Sequence, residues 1–256
     1  MRTFRGAHTL TESLRMSSNR LGPRVFAVFV IVAALAGCRS DHSRTAQATP
    51  PSTAPTPISA AASTPDRRPV LSCFGDSLTA GLGVDPSQSY PAYLQKLLDN
   101  HGDTLRVVND GISGDTTKDG LARIGEVLAR HPRIVVVEFG GNDGLRGLPL
   151  SQTSANLERI VAQLKSSGAQ VAIAGITLPP DYGAEYVQHF NAIYPMTATK
   201  YRTPLLPFLL HGAYNVPGAM QQDHIHATAA GNRLVAQNVY TLVRPLLAHP
   251  LPQPPH

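Results

Sequence analysis

Val70-Leu71-Ser72-Cys73-Phe74-Gly75-Asp76-Ser77-Leu78 decides how the rest of the chain is read. A nearly unbroken apolar run ends at a glycine, and a small polar pair follows before apolar residues resume. That pattern fits a buried strand turning sharply into a helix. The same kind of run returns at Arg106-Val107-Val108-Asn109, Ile134-Val135-Val136-Val137 and Val171-Ala172-Ile173-Ala174. A weaker fifth, interrupted by two prolines, lies between Thr203 and Leu210. Runs of this kind, rather than strict alternation, suggest strands buried on both faces of a parallel sheet.

Amphipathic stripes separate the runs. Tyr93, Leu94, Leu97 and Leu98 form one, and Leu157, Ile160, Val161 and Leu164 fall at i, i+3, i+4 and i+7. Leu234, Val235, Val239, Leu242 and Val243 share one side of a last helix, whose extension Pro245 is expected to limit. Strands alternating with helices of this length predict right-handed βαβ units in a three-layer α/β/α sandwich, with a mainly parallel five-stranded sheet. The domain spans residues 69–248, without internal repeats. A chain of roughly 180 residues buries around 70% of its unfolded surface, enough for a self-sufficient core. In such sheets ligands sit beyond the carboxyl ends of the strands.

The full chain has 256 residues, 42% of them hydrophobic and 15% charged, with a formal net charge of +5. Residues 1–37 hold five arginines against Glu12, while from Pro69 onward 13 basic residues face 14 acidic ones. The folded part is therefore close to neutral, and with no Trp it offers little for base stacking, so nucleic acid is not an expected partner.

Val25 to Gly37 is an uncharged apolar run directly after Arg24, too short to span a bilayer and of signal-peptide length. It ends in Leu35-Ala36-Gly37-Cys38, which resembles the lipobox of bacterial lipoproteins. The resemblance implies cleavage before Cys38, lipidation of that cysteine and anchoring to a membrane facing the periplasm. By resemblance to enterobacterial lipoproteins, Arg39 rather than Asp after the cysteine implies the outer membrane. Several acyl chains suffice for stable anchoring. The stretch before Arg24 is long for a signal's leading region, which makes Met16 an alternative start. Residues 38–68 then read as a flexible Pro/Ala/Ser/Thr linker with five prolines from Pro50 to Pro65, and residues 249–256 as a Pro-rich tail. The second cysteine, Cys73, sits in an apolar run as a small core residue, and with Cys38 lipidated it has no partner for an intrachain disulfide.

Four short blocks carry polar residues at these strand ends. Ser77 follows Gly75-Asp76 at a helix start, where free N–H groups favour developing negative charge; it could equally cap the helix. Gly114, in Gly111-Ile112-Ser113-Gly114-Asp115, could offer a backbone N–H to an oxyanion or serve only as a turn glycine. Asn142, in Phe139-Gly140-Gly141-Asn142-Asp143, could be an oxyanion donor or plain turn chemistry. Asp223-His224-Ile225-His226 could set a carboxylate behind an imidazole facing a nucleophile, could bind a metal, or could be a solvated loop. No other Cys/His cluster accompanies it, so neither a metal nor a cofactor is expected. The Gly-x-Ser-x-Gly of α/β-hydrolases is absent, and Gly81-Leu82-Gly83 does not continue into a dinucleotide-binding fingerprint.

In order and placement, these four blocks resemble those of the GDSL, or SGNH, hydrolases over essentially Val70 to Leu247. Ile112-Ser-Gly-Asp-Thr, Gly120-Leu-Ala-Arg123, Glu138, Gly140-Gly-Asn-Asp-Gly-Leu-Arg146, Pro179, Tyr182-Gly183 and Ala192-Ile-Tyr-Pro195 look most like its acyl-CoA thioesterase I, lysophospholipase and arylesterase branch. The resemblance implies a flavodoxin-like fold and a serine esterase or thioesterase. Ser77 would be the nucleophile, His226 the base and Asp223 its orienting carboxylate. The oxyanion hole would comprise the N–H groups of Ser77 and Gly114 and the Asn142 side chain. Leu145, Leu178 and Pro179 are candidate acyl contacts, while Arg146 is either a phosphate contact or a solvated charge. The last block departs from the family's Asp-Gly-x-His-Pro at His224 and Ala227, and loss of the proline is expected to loosen the loop carrying His226. An O-acetyl esterase of envelope polysaccharide and a tethered binding protein are the alternatives; a monomer is expected.

Overall fold

The computed structural model describes residues 66–248. The expected signal segment, Cys38, the linker as far as residue 65 and the tail 249–256 lie outside the described residues.

Five parallel strands form the sheet: β1 (Val70–Gly75), β2 (Arg106–Gly111), β3 (Ile134–Glu138), β4 (Gln170–Ala174) and β5 (Leu205–Leu206). Their order is β2-β1-β3-β4-β5. All six residues of β1 and all five of β3 are buried, as near-continuous apolar runs require when helices cover both faces. Cys73 is part of this core, and burial pushes its thiol far above the ordinary range.

The helices are α1 (Ser77–Ala80), α2 (Tyr90–His101), α3 (Thr117–Leu128), α4 (Gly141–Leu145), α5 (Leu150–Ser166), α6 (Ala184–Tyr201) and α7 (Ala229–Leu247). α2 packs with α7, and α3 with α5, which also meets α6. Starts follow local chemistry: Thr116 and Asp119 make a reciprocal capping box on α3, and Thr228 accepts from the Gly231 N–H at the head of α7.

The fifth strand and helices α7 and α6 differ from expectation. The fifth strand shrinks from Thr203–Leu210 to two residues, because Pro204 and Pro207 on either side cannot donate to a ladder. Helix α7 passes through Pro245 to Leu247 instead of stopping before it. A proline in the last turn forfeits one backbone bond, and the terminal Leu247 carbonyl accepts from Arg133 Nη2 at 3.0 Å. Helix α6, unforeseen, buries Phe190, Ile193, Tyr194, Thr197 and Ala198; this helical spacing was present in the sequence but interrupted by Pro195.

Register builds the site. Gly75 at the end of β1 lies level with Gly111 on one neighbour and Glu138 on the other. The residues following these three strands therefore emerge side by side, at the switch point where strand order reverses from β1 to β3. Only glycine fits at Gly75, where a Cβ would collide with Thr79 and Glu138.

Candidate active site

Asp76 follows β1 and caps α1, its Oδ1 accepting from the Leu78 N–H at 3.0 Å. The cap is thus Asp76, which leaves the Ser77 hydroxyl free for another partner. That partner is His226, whose Nε2 lies 2.8 Å from Ser77 Oγ across 149 sequence positions. On the far side of the ring, His226 Nδ1 is 2.6 Å from Asp223 Oδ2. The backbone N–H groups of Ile225 and His226 both donate to Asp223 Oδ1 at 3.0 Å. Partial burial pushes the Asp223 carboxyl up, but these hydrogen bonds and the nearby imidazole outweigh it and bring it down to about 2. An ionised Asp223 therefore fixes the imidazole from behind, with its other nitrogen on the hydroxyl.

The loop carrying Asp223 and His226 is held without the family's proline. Met220 and Ala227 form an antiparallel bridge in which Gln221 N donates to His226 O and Thr228 N to Ala219 O, each at 2.8 Å. Neither bond uses the Ala227 N–H. The Gln221 side chain donates to the carbonyls of Leu82 at 2.7 Å and Ala227 at 3.0 Å, tying the loop to the segment just after α1. At the family's glycine position, His224 adopts φ +56°, left-handed backbone that a glycine enters without steric cost. Tyr214 donates to the His224 carbonyl at 2.6 Å and braces that bend.

Asn142, the second residue of α4, donates through Nδ2 to Asp76 Oδ2 at 3.1 Å and to the Asp115 carbonyl at 3.0 Å. Its amide is thereby fixed, and it lines the same cavity as Ser77. Gly114 lies in its turn at φ +90°, and its N–H has no acceptor among the described residues. The Ser77 N–H, first in its helix, has no intrahelical acceptor. Arg146 is exposed yet engaged: its Nη2 donates to the Gly114 carbonyl at 2.8 Å.

Four supporting residues received no role in the sequence reading. Arg123 pairs with Asp115 at 2.6 Å, donates to the Gly75 carbonyl at 3.0 Å and lies over the Phe74 ring. One cation thus clamps the strand end before Ser77 to the turn after Gly114. Asp143 is buried and accepts from the Thr117 N–H at 2.8 Å, joining α4 to α3. Glu138 is fully buried, and its Oε2 accepts from Thr79 Oγ1 at 2.7 Å and from the Asp76 N–H at 3.3 Å. Asp76 itself is the fourth. A charged residue closing the apolar run Ile134–Val137 was the signal for Glu138.

Burial raises the Asp76 carboxyl to about 6, against the hydrogen bonds from Leu78 and Asn142 and the attraction of His226. For Glu138, burial first and the neighbouring Asp76 second push the carboxyl well above the usual range.

Beside Ser77 a small cavity of about 100 Å³ is lined by Asn142, Leu145, Ile176, Leu178 and Pro179, among others, so all three expected acyl contacts face it. It shares Thr177, Leu178, Pro179, Phe208 and Tyr214 with a larger cleft of about 490 Å³ that reaches Pro180 and His224. Gly114 does not line the cavity; it joins the site through Arg146 and Asp115. Among the described residues no group of three His, Cys, Asp or Glu side chains could hold a metal ion.

The profile of the GDSL-like lipase/acylhydrolase family matches residues 73–234. Esterase TesA of Pseudomonas aeruginosa is 45% identical over 178 residues, covering 69% of this chain and 89% of that protein. Thioesterase 1/protease 1/lysophospholipase L1 of Escherichia coli is 41% identical over 180 residues, or 70% of this chain and 85% of its own. A crystal structure of TesA superposes with a TM-score of 0.67 at 44% identity, covering 69% of this chain and 99% of that one.

Proposed function

This chain belongs to the GDSL-like lipase/acylhydrolase family, and from that premise we propose that it hydrolyses acyl esters and thioesters through an acyl-serine intermediate on Ser77. The observation that carries the assignment is the continuous relay from Ser77 Oγ to His226 Nε2 and from His226 Nδ1 to Asp223. In the proposed reaction His226 takes the hydroxyl proton as Ser77 attacks the carbonyl carbon. The tetrahedral oxygen is held by the N–H groups of Ser77 and Gly114 and by the Asn142 amide. His226 then delivers the proton to the departing alcohol or thiol, and water repeats the sequence to release the acid.

The apolar character of Leu145, Leu178, Pro179 and Phe208 beside Ser77 favours acyl chains longer than acetyl. An O-acetyl esterase of envelope polysaccharide would have no use for such a cleft, and a binding protein none for the relay. We further infer that Cys38 is lipidated and that the linker lets a monomeric domain work away from a membrane facing the periplasm, the outer membrane being favoured by Arg39.

Hydrolysis of p-nitrophenyl acetate, butyrate, octanoate and palmitate, beside Ser77→Ala, tests the reading. The expected result is a maximum above acetate and a loss of about a millionfold in kcat for the variant. Turnover surviving in Ser77→Ala overturns the nucleophile assignment, and activity confined to acetate transfers the assignment to the polysaccharide deacetylase.

A further inference from the structure

Behind the nucleophile turn lie two carboxyl groups that the reaction above leaves without a part. Asp76 and Glu138 are 2% and 0% exposed. Asp76 spends its two oxygens on the Leu78 N–H and on Asn142 Nδ2, so one carboxylate sets both the start of the nucleophile helix and the side chain meant for the oxyanion. Glu138 Oε2 is an acceptor, taking hydrogens from Thr79 and from the Asp76 backbone. Its Oε1 is wholly buried with no donor facing it. The Asp76 N–H donates to Glu138 Oε2 at 3.3 Å and, after burial, the Asp76 charge in turn raises the Glu138 carboxyl, so the two buried groups are neighbours. A buried carboxylate oxygen without a donor is costly, whereas a carboxylic acid hydroxyl there needs only an acceptor, and Asp76 is one.

We propose that Glu138 is a positioning residue for the oxyanion hole, donating a hydrogen bond from Oε1 to the Asp76 carboxylate and so holding that carboxylate on Asn142 and on the head of α1. The pair then carries one proton in the working enzyme. Other groups around it do not supply that proton. Tyr90, reached through Thr79, and Tyr194 are buried phenols, both pushed well above their ordinary range by desolvation first. Asp143 is committed to Thr117, and Arg123 to Asp115 and the Gly75 carbonyl. His226 faces the pair from the opposite loop and favours a negative Asp76.

The arrangement sets a pH dependence. Asp76 titrates above an ordinary carboxyl, so its negative charge is present above about 6 and lost as pH falls through that value. Without it the grip on Asn142 slackens. Removing the Glu138 donor takes away one of the forces holding Asp76 ionised, so the acid limb of activity moves to higher pH.

The proposal rests on the Ser77 reaction, and the test separates the two. In Glu138→Leu the acid limb of kcat/KM is expected to rise by about one pH unit, and kcat at neutral pH to fall about tenfold with KM unchanged. In Glu138→Gln, whose amide accepts from Thr79 and donates to Asp76, both are expected to return to within about twofold of the wild type. A Leu variant with the wild-type pH profile, or a Gln variant as impaired as Leu, overturns the proposal. Infrared spectroscopy of the full chain labelled with 13C-carboxyl glutamate needs neither turnover nor a folded Leu variant. A protonated glutamic acid band persisting at pH 8 and absent from Glu138→Gln supports the proposal even if Ser77 proves inert. No such band in the wild type overturns it.

Discussion

Ser77 rises from a turn whose neighbours Asp76 and Glu138 are almost wholly buried, with register to two strands fixing its place. Asp223, at the other end of the same hydrogen-bonded relay, is 43% exposed, on a loop that bends through a left-handed His224. The Ser77 side is held by the sheet, by desolvated carboxyls and by the Arg123 clamp. The histidine side is held by local bonds: a two-residue bridge, the Gln221 strap to Leu82 and the Tyr214 brace. A site of this kind draws its precision from the core on one side and needs only a short hydrogen-bonded loop on the other. That explains how the loop accommodates His224 and Ala227 without parting His226 from Ser77.

Asp223→Asn presses hardest on this contrast. An amide cannot fix the imidazole as a carboxylate does, and kcat should fall about a thousandfold, less than the roughly ten-thousandfold of a buried triad aspartate because water reaches the site. Circular dichroism and thermal unfolding should scarcely change. A large loss of stability would break the contrast by showing that the exposed loop supports the fold.

Asn142→Ala probes the buried side. Loss of one oxyanion donor lowers kcat about a hundredfold to a thousandfold. Here the same change also leaves Asp76 Oδ2 and the Asp115 carbonyl without their donor, so denaturant unfolding should show a loss of about 1–2 kcal/mol. Activity loss with no stability loss would mean that the amide contributes nothing to holding the two turns together.

The smallest effect is expected from His224→Gly. Glycine removes the left-handed strain and regains backbone freedom in the unfolded chain, for a net gain of about 0.5 kcal/mol, with kcat/KM within about twofold. A clear loss of activity would instead assign the His224 side chain a part in the cleft it lines.

The strands β1, β3 and β4 were legible because burial on both faces demands apolar runs, and amphipathic spacing announced α2, α5 and α7 equally plainly. β5 was overdrawn because apolar composition says nothing of a proline's missing donor, and Pro195 masked α6, whose buried spacing was otherwise regular. Each polar block carried more than one meaning. Gly-Asp-Ser suits both a cap and the proposed nucleophile turn, and Gly-Asn-Asp both a turn and the proposed oxyanion donor, since local propensity rewards the same residues for either role.

By itself the sequence determined the alternation of elements, the glycines at the strand ends and the family's four blocks, because these depend on neighbours a few positions away. Only the tertiary structure decided that Asp76 caps and Ser77 stays free, that Arg146 braces Gly114, and that Glu138 backs Asp76. Those choices depend on partners brought together by sheet register, His226 reaching Ser77 across 149 positions, and no local pattern encodes which distant group will satisfy a buried hydrogen bond.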